Sequence, residues 1–137
     1  MKTNDLKGDD AIKKIKSIIE RNPIAMLVAD LKMDSPTVCP MTVKGMDGKG
    51  ILWFLSTKDS DHYKSIEEDQ RILLTFSNES NHEYLSVTGL ASHVSSKTVI
   101  DTLWKDEDAK WYHNGRDDDN VVALKVGIVD AYYWDRS

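Results

Sequence analysis

The sequence predicts a mainly β protein of the α+β class, with a small closed or nearly closed antiparallel barrel and helices packed on it. Three observations support this prediction. About six short apolar or alternating segments have strand character, and most are joined by connections of hairpin length. Only three segments have helical periodicity. Strands and helices do not alternate regularly, which argues against a doubly wound parallel sheet.

The first half of the chain is predicted to contain one helix and three strands. Isoleucines recur on one face of residues 9–21, which is typical of an amphipathic helix, and Pro23 ends it. Pro40 lacks an amide hydrogen, so its strand should lie at a sheet edge, at a bulge or against a ligand. The Asp-Gly pair at 47–48 predicts an antiparallel hairpin of the second and third strands. The three strands are predicted at 24–31, 37–44 and 51–56.

The second half contains two further helices and the remaining strands. Ser60 or Asp61 is a suitable cap for a short helix that carries Lys64 and ends near Asp69. In the long strand 83–94, Gly89 is expected to mark a bend or bulge. The other predicted elements are a strand at 71–76, a helix at 95–106 and a last strand at 121–134, or two strands with a kink at Gly127.

Composition restricts the cellular setting and the partners. The 137 residues suit one domain, and the net charge of −5 without a basic run argues against nucleic-acid binding. No apolar run approaches the roughly 20 residues of a membrane span, and the N-terminus lacks a signal-peptide apolar region. The single Cys39 cannot form an internal disulfide, which fits a reducing compartment. We therefore expect a cytoplasmic protein without membrane association.

Residues 50–64 are the first candidate for a functional segment. Trp53 and Phe54 could lie along a planar ring, while nearby hydroxyl groups, a helix start and Lys64 could bind a phosphate tail. Two aspartates at the helix start compete for the same backbone amides. The alternative is a core strand followed by a capped surface helix, and the residues by themselves favour this alternative.

Trp104, Trp111 and Tyr112 form a second candidate group. They either cover one end of the barrel or supply a dimer contact or ligand wall. Because a barrel this small is filled by its own side chains, a flat ligand would lie at a subunit boundary. The four histidines lack metal-ligand spacing, so no metal is expected, and Cys39 is expected to be a packed strand residue. No side chain is identified as catalytic.

Taken in order, these motifs resemble the general-stress-protein branch of the FMN-binding split barrels, the superfamily of pyridoxamine-phosphate oxidase. The resemblance runs through most of the chain and depends on the order and spacing of short motifs. They are Pro40-Met41, Trp53-Phe54-x-Ser56, Lys64-x-Ile66, the strand from Tyr84 to Gly89, Leu103-Trp104, Trp111-Tyr112 with Gly115, and Tyr133-Trp134-Asp135.

The resemblance implies a six-stranded split barrel that forms a homodimer, with FMN in each of two clefts at the subunit interface. It assigns the flavin ring and ribityl chain to two strands, the phosphate to Lys64, and an aromatic contact from the other subunit to Trp111. The strand residues concerned are Cys39, Pro40, Met41 and Thr42 on one strand and Phe54, Leu55, Ser56 and Thr57 on the other.

The chain departs from the family pattern at three places. Cys39 stands where an arginine is common, Tyr84 stands where the oxidase has a glutamine, and the oxidase's C-terminal arginine motif is absent after Arg136. We therefore expect a protein that binds FMN, or alternatively FAD, in redox or stress-related chemistry, and not pyridoxamine-phosphate oxidation. Two alternatives remain: a flavin store or sensor without turnover, and a flavin-free dimeric interaction module, which Cys39 favours.

Overall fold

A computed structural model describes residues 2–3 and 8–135, and its centre is a single curled antiparallel sheet. The strands are β1 (Lys2–Thr3), β2 (Ile24–Ala29), β3 (Thr37–Thr42), β4 (Gly45–Met46), β5 (Ile51–Thr57), β6 (Arg71–Asn78), β7 (Glu83–Val94) and β8 (Val121–Asp135). The α-helices are α1 (Gly8–Arg21), α2 (Asp61–Glu68) and α3 (Lys97–Leu103). In the described ranges, no helix is long and apolar enough to cross a membrane.

Hydrogen-bonded neighbours in the sheet follow the order β3-β2-β6-β7-β8-β5-β4, and β1 pairs with β8. β3 and β4 therefore stand at opposite ends of the order although they are consecutive in the chain. The two residues between them cross the opening. The Val43 amide donates to the Pro23 carbonyl at 2.8 Å, and the Lys44 amide donates to the Trp53 carbonyl at 2.7 Å. The first bond continues the β2–β3 ladder and the second continues the β4–β5 ladder, so the chain between them joins the two ends of the sheet order.

The predicted mainly β class with three flanking helices is confirmed, but the sheet has more strands than the six predicted. Seven strands form the continuous path, and β1 is added beside β8. The hairpin predicted at Asp47-Gly48 is present, but it joins β4 to β5, so the prediction that residues 37–44 form its first strand is wrong. β3 pairs with β2, while β5 pairs with the two-residue β4 and with β8. Pro40 cannot donate a ladder bond, and its strand lies at one end of the sheet order, as predicted for an edge.

Alternation along the strands places one face inside the barrel. β6 and β7 bury every second side chain along most of their length. Three of the four isoleucines of α1, Ile15, Ile18 and Ile19, join this core, as their spacing predicted, while Ile12 is half-buried. A smaller apolar cluster forms on the outer face of β5 and β8, where α3 covers it. On β5, Phe54 and Ser56 therefore point into the barrel, while Leu55 belongs to the outer cluster.

A polar cluster joins α2 to the barrel. Ser60 is the N-cap and its hydroxyl accepts from the Tyr63 amide at 3.2 Å, as predicted. His62 of the first turn lies with Nδ1 3.4 Å from Cys39 Sγ on β3 and Nε2 2.6 Å from Ser56 Oγ on β5. The imidazole therefore bridges two strands that are not hydrogen-bonded neighbours. Burial is the main cause that lowers the pKa of His62, and repulsion from His93 adds to it.

Gly89 lies at a bulge of the β7–β8 pair, as its place in the sequence predicted. Thr88 pairs with Asp130 and Gly89 with Ile128, so Val129 is the additional residue on β8. A Cβ at position 89 would lie 2.7 Å from the Gly127 carbonyl oxygen and 2.7 Å from Val126 Cγ1. β8 itself is one strand, so the alternative of two strands with a kink at Gly127 is wrong.

Gly89→Ala is expected to lower the free energy of unfolding by about 1–3 kcal/mol, because its methyl group would overlap backbone that cannot move independently. Denaturant unfolding measures the change. Gly48→Ala is the matched control: nothing lies within 4 Å of a Cβ there, so its unfolding free energy should stay near that of the parent protein. Equal stability of the two variants would contradict the close approach at Gly89.

The His62 environment predicts a dependence of stability on pH. The folded-state pKa is below the reference value of 6.5, so the unfolded chain binds a proton more readily. The free energy of unfolding should therefore decrease as pH falls through 6.5 towards the folded-state pKa. The His62 contribution to the slope cannot exceed about 1.4 kcal/mol per pH unit, the limit for one proton.

Denaturant unfolding at a series of pH values tests this dependence. His62→Gln should have a shallower acid slope than the parent protein, whereas His113→Gln, at an exposed histidine, should keep the parent slope. The interpretation fails if both variants show the same curve as the parent.

Candidate functional site

A cavity of about 380 Å³ lies beside the point where the chain crosses from β3 to β5. Its walls come from β3, β5 and the segment that follows α3. The lining residues are Ile24, Pro40, Met41, Thr42, Lys44, Leu55, Asp108, Trp111 and Tyr112. Most of them are apolar or aromatic, which is typical of a small-molecule site.

A buried ion pair holds one wall of the cavity in place. Lys44 Nζ lies 2.9 Å from Oδ1 and 2.7 Å from Oδ2 of Asp108, and the two side chains are 7% and 12% exposed. Asp108 Oδ2 also accepts from the Lys105 amide at 2.9 Å. The carboxylate thus joins the 3-10 helix Asp106–Trp111 to the crossing residue of the barrel. Lys44 and Asp108 are the charged members of the lining.

Aromatic side chains form the outer part of this wall. Tyr112 packs on Trp104, with ring centroids 5.4 Å apart, and both contact the apolar cluster under α3. Burial, with a smaller effect of Asp108, raises the pKa of Tyr112 to about 12. The phenol therefore keeps its proton at neutral pH and can donate a hydrogen bond. Trp111 is 70% exposed, although it lines the cavity.

Ten flavin-site residues are expected from the family resemblance, and five of them line this cavity: Pro40, Met41, Thr42, Leu55 and Trp111. Its lining does not include the other five. Phe54 is fully buried in the barrel core, and Ser56 bonds to His62 inside the barrel. Thr57 is half-buried and its carbonyl accepts from Ser60 Oγ.

Cys39 contacts His62 in the first turn of α2, and Lys64 is exposed on the same helix. Cys39 is half-buried below the helix, where burial raises the pKa of its thiol, so the thiol stays protonated at neutral pH. Lys64 is exposed on the helix, and no ion pair or hydrogen bond occupies it within the part of the chain that the structure describes. It is therefore accessible to an anion from solvent.

The sequence did not indicate three of the lining residues, Lys44, Asp108 and Ile24. The sequence pattern could have indicated Lys44, since it is the last residue of the predicted strand that carries Pro40 and Met41. No sequence pattern could have indicated Asp108, because it lies in a polar segment and meets Lys44 only in the folded chain, 64 residues away. Within residues 2–3 and 8–135, no group of three His, Cys, Asp or Glu side chains could hold a metal ion.

Solved structures share this architecture. A Clostridium acetobutylicum protein related to general stress protein 26, of the pyridoxinephosphate oxidase family, is 18% identical with a TM-score of 0.80, covering 95% of this chain and 92% of its own. The general stress FMN/FAD binding protein of Xanthomonas citri is 23% identical with a TM-score of 0.80 and the same coverage. General Stress Protein 26 of Bacillus anthracis is 22% identical, with a TM-score of 0.79 and coverage of 93% and 95%.

These structural similarities establish the fold, and a family model adds the assignment of the sequence. No curated protein sequence matches the chain. The model described as pyridoxamine 5'-phosphate oxidase like matches residues 10–137. That range includes the whole barrel from β2 to β8 and both sides of the cavity. The chain belongs to the pyridoxamine 5'-phosphate oxidase like family.

Proposed function

We propose that this protein binds a flavin, FMN or alternatively FAD, in the cavity beside Lys44, and that it acts in cytoplasmic redox or stress-related chemistry. One observation carries the proposal. Pro40, Met41, Thr42, Leu55 and Trp111, which the resemblance assigns to the flavin, line the same cavity although they come from three separate segments. The Xanthomonas citri relative, which is described as FMN/FAD binding, has the same fold.

The chemistry of the cavity suits a flat heterocycle. Met41 and Leu55 supply apolar surface, and Trp111 and Tyr112 supply aromatic surface on which a ring can pack. The volume of about 380 Å³ is within the range of small-molecule sites. The flavin would carry the electron chemistry, while the side chains orient its ring and exclude water from one face. We propose an oxidoreductase on this basis and assign no catalytic side chain.

We also propose that the functional unit is a homodimer with the flavin at the subunit boundary. The outer face of the β2–β3 pair is apolar and uncovered: Ile24 is 54%, Met26 42% and Val38 54% exposed. The register places Met26 opposite Pro40, so these side chains form one continuous surface. Ile24 and Pro40 also line the cavity, so a second copy packed on this face would cover its opening.

Flavin binding is the primary prediction. Purified protein should show flavin absorbance, and added FMN should raise the melting temperature of flavin-free protein. A ligand at 100 times its dissociation constant contributes about 2.7 kcal/mol to the free energy of unfolding. Protein that stays colourless, with no change in melting temperature at saturating FMN or FAD, would contradict the proposal. A dimer with that behaviour would support the flavin-free interaction module.

Lys64→Ala is expected to weaken the binding of FMN about tenfold and to leave the binding of riboflavin nearly unchanged, because only FMN carries the phosphate that an ammonium group can bind. Fluorescence titration of both flavins measures the difference. Lys13→Ala, at an exposed lysine of α1, is the control and should change neither affinity. An equal loss for FMN and riboflavin would refute the role of Lys64 as a phosphate ligand.

Val38→Lys is expected to convert the dimer to monomer, because it places a charge on the apolar face of the β2–β3 pair. Light scattering after size-exclusion chromatography measures the mass. Val129→Lys is the matched control: this valine is 68% exposed, but it lies at the β7–β8 bulge outside the proposed interface. A parent protein that is monomeric at micromolar concentration would refute the dimer.

A further inference from the structure

We propose that Lys44, Asp108 and Tyr112 form a recognition site for an imide edge, in which an N–H lies between two carbonyl groups. The inference rests on the proposed flavin binding, because the pyrimidinedione end of a flavin ring has this edge. It goes further by naming the side chains that select the ring and the ligand atoms that they contact.

The hydrogen-bonding capacity of the three side chains matches such an edge. The Lys44 ammonium has three N–H donors, and the two oxygens of Asp108 occupy two of them. Among residues 2–3 and 8–135, Asp108 Oδ1 accepts from Lys44 alone and so keeps acceptor capacity, whereas Oδ2 also accepts from the Lys105 amide. The Tyr112 hydroxyl is protonated and supplies a second donor. Two donors and one acceptor complement two carbonyl groups and one N–H.

The same pair disfavours an anionic group in this cavity. Lys44 is the cation of the lining, and its charge is already matched by Asp108 at 2.7 Å. A phosphate or carboxylate bound there would lie next to the Asp108 carboxylate and meet like-charge repulsion. A neutral edge meets no such repulsion and satisfies the remaining donor and acceptor groups. The exposed Lys64 is then the place for the phosphate end of the ligand.

Stability alone does not account for the ion pair. Both side chains are about nine-tenths buried, and replacing a buried pair by apolar residues of similar volume is often neutral or stabilising. Removing one partner is costly, because it leaves the other charge buried and unpaired. A pair that lines a cavity and retains unused hydrogen-bonding capacity is explained by a ligand that uses it.

The test compares riboflavin with riboflavin methylated at the imide nitrogen, which cannot donate to Asp108. The parent protein should bind the methylated flavin at least about tenfold more weakly. The double variant Lys44→Met/Asp108→Leu removes both charges together and should bind the two flavins within about threefold of each other. Lys97→Met/Asp117→Leu, at an exposed ion pair, is the matched control and should keep the tenfold difference.

A second variant makes the test independent of the folding of the double variant. Tyr112→Phe keeps the ring that packs on Trp104 and removes only the hydroxyl group. It should weaken the binding of riboflavin about fivefold, because one hydrogen bond is lost, and it should leave the melting temperature unchanged.

The outcomes separate this inference from the proposed function. If the parent protein binds both flavins equally well, the imide recognition is refuted while flavin binding stands. Discrimination that persists in the double variant, or Tyr112→Phe binding like the parent, refutes the assigned side chains. If the parent protein binds none of riboflavin, methylated riboflavin and FMN, the proposed function fails and this inference fails with it.

Discussion

The crossing of the chain at Val43 and Lys44 is the constraint on which the barrel and its cavity both depend. Val43 donates to the Pro23 carbonyl beside β2, and Lys44 donates to the Trp53 carbonyl of β5, so the chain between them joins opposite ends of the sheet order. The Lys44 side chain then holds Asp108 and so fixes the segment that closes the cavity. One short segment therefore joins the two ends of the sheet and anchors the wall of the cavity.

The two sides of this crossing have different chemistry. Outside the barrel, the cavity combines apolar strand residues with the Lys44–Asp108 pair and with Tyr112. Inside, Cys39 and Ser56 bond to the same imidazole of His62 and tie α2 to two strands. Cys39, at the position where the resemblance leads to the expectation of an arginine, thus contacts the first turn of α2. Since a thiol is shorter than a guanidinium and here points to His62, flavin binding would have to depend on other side chains.

The sequence predicted most element positions because they depend on local chemistry. The amphipathic isoleucines of α1, the Ser60 cap and the alternation of residues 83–94 each involve neighbours within a few residues. Half of the expected flavin contacts also line one cavity, although Trp111 comes from a 3-10 helix and the others from β3 and β5. Phe54 was the clearest exception among these expected contacts, since alternation along β5 turns it into the core.

By itself, then, the sequence determined the fold class, the helices and most of the strands, since periodicity and caps act locally, and it limited Pro40 to an edge, a bulge or a ligand-facing position. Only the tertiary structure decided that β5 pairs with β8 instead of β3. Strand pairing depends on contacts between segments far apart in sequence, which no local pattern specifies. The tertiary structure also decided that Lys44 and Asp108 meet, since no local pattern relates two charges so far apart in sequence.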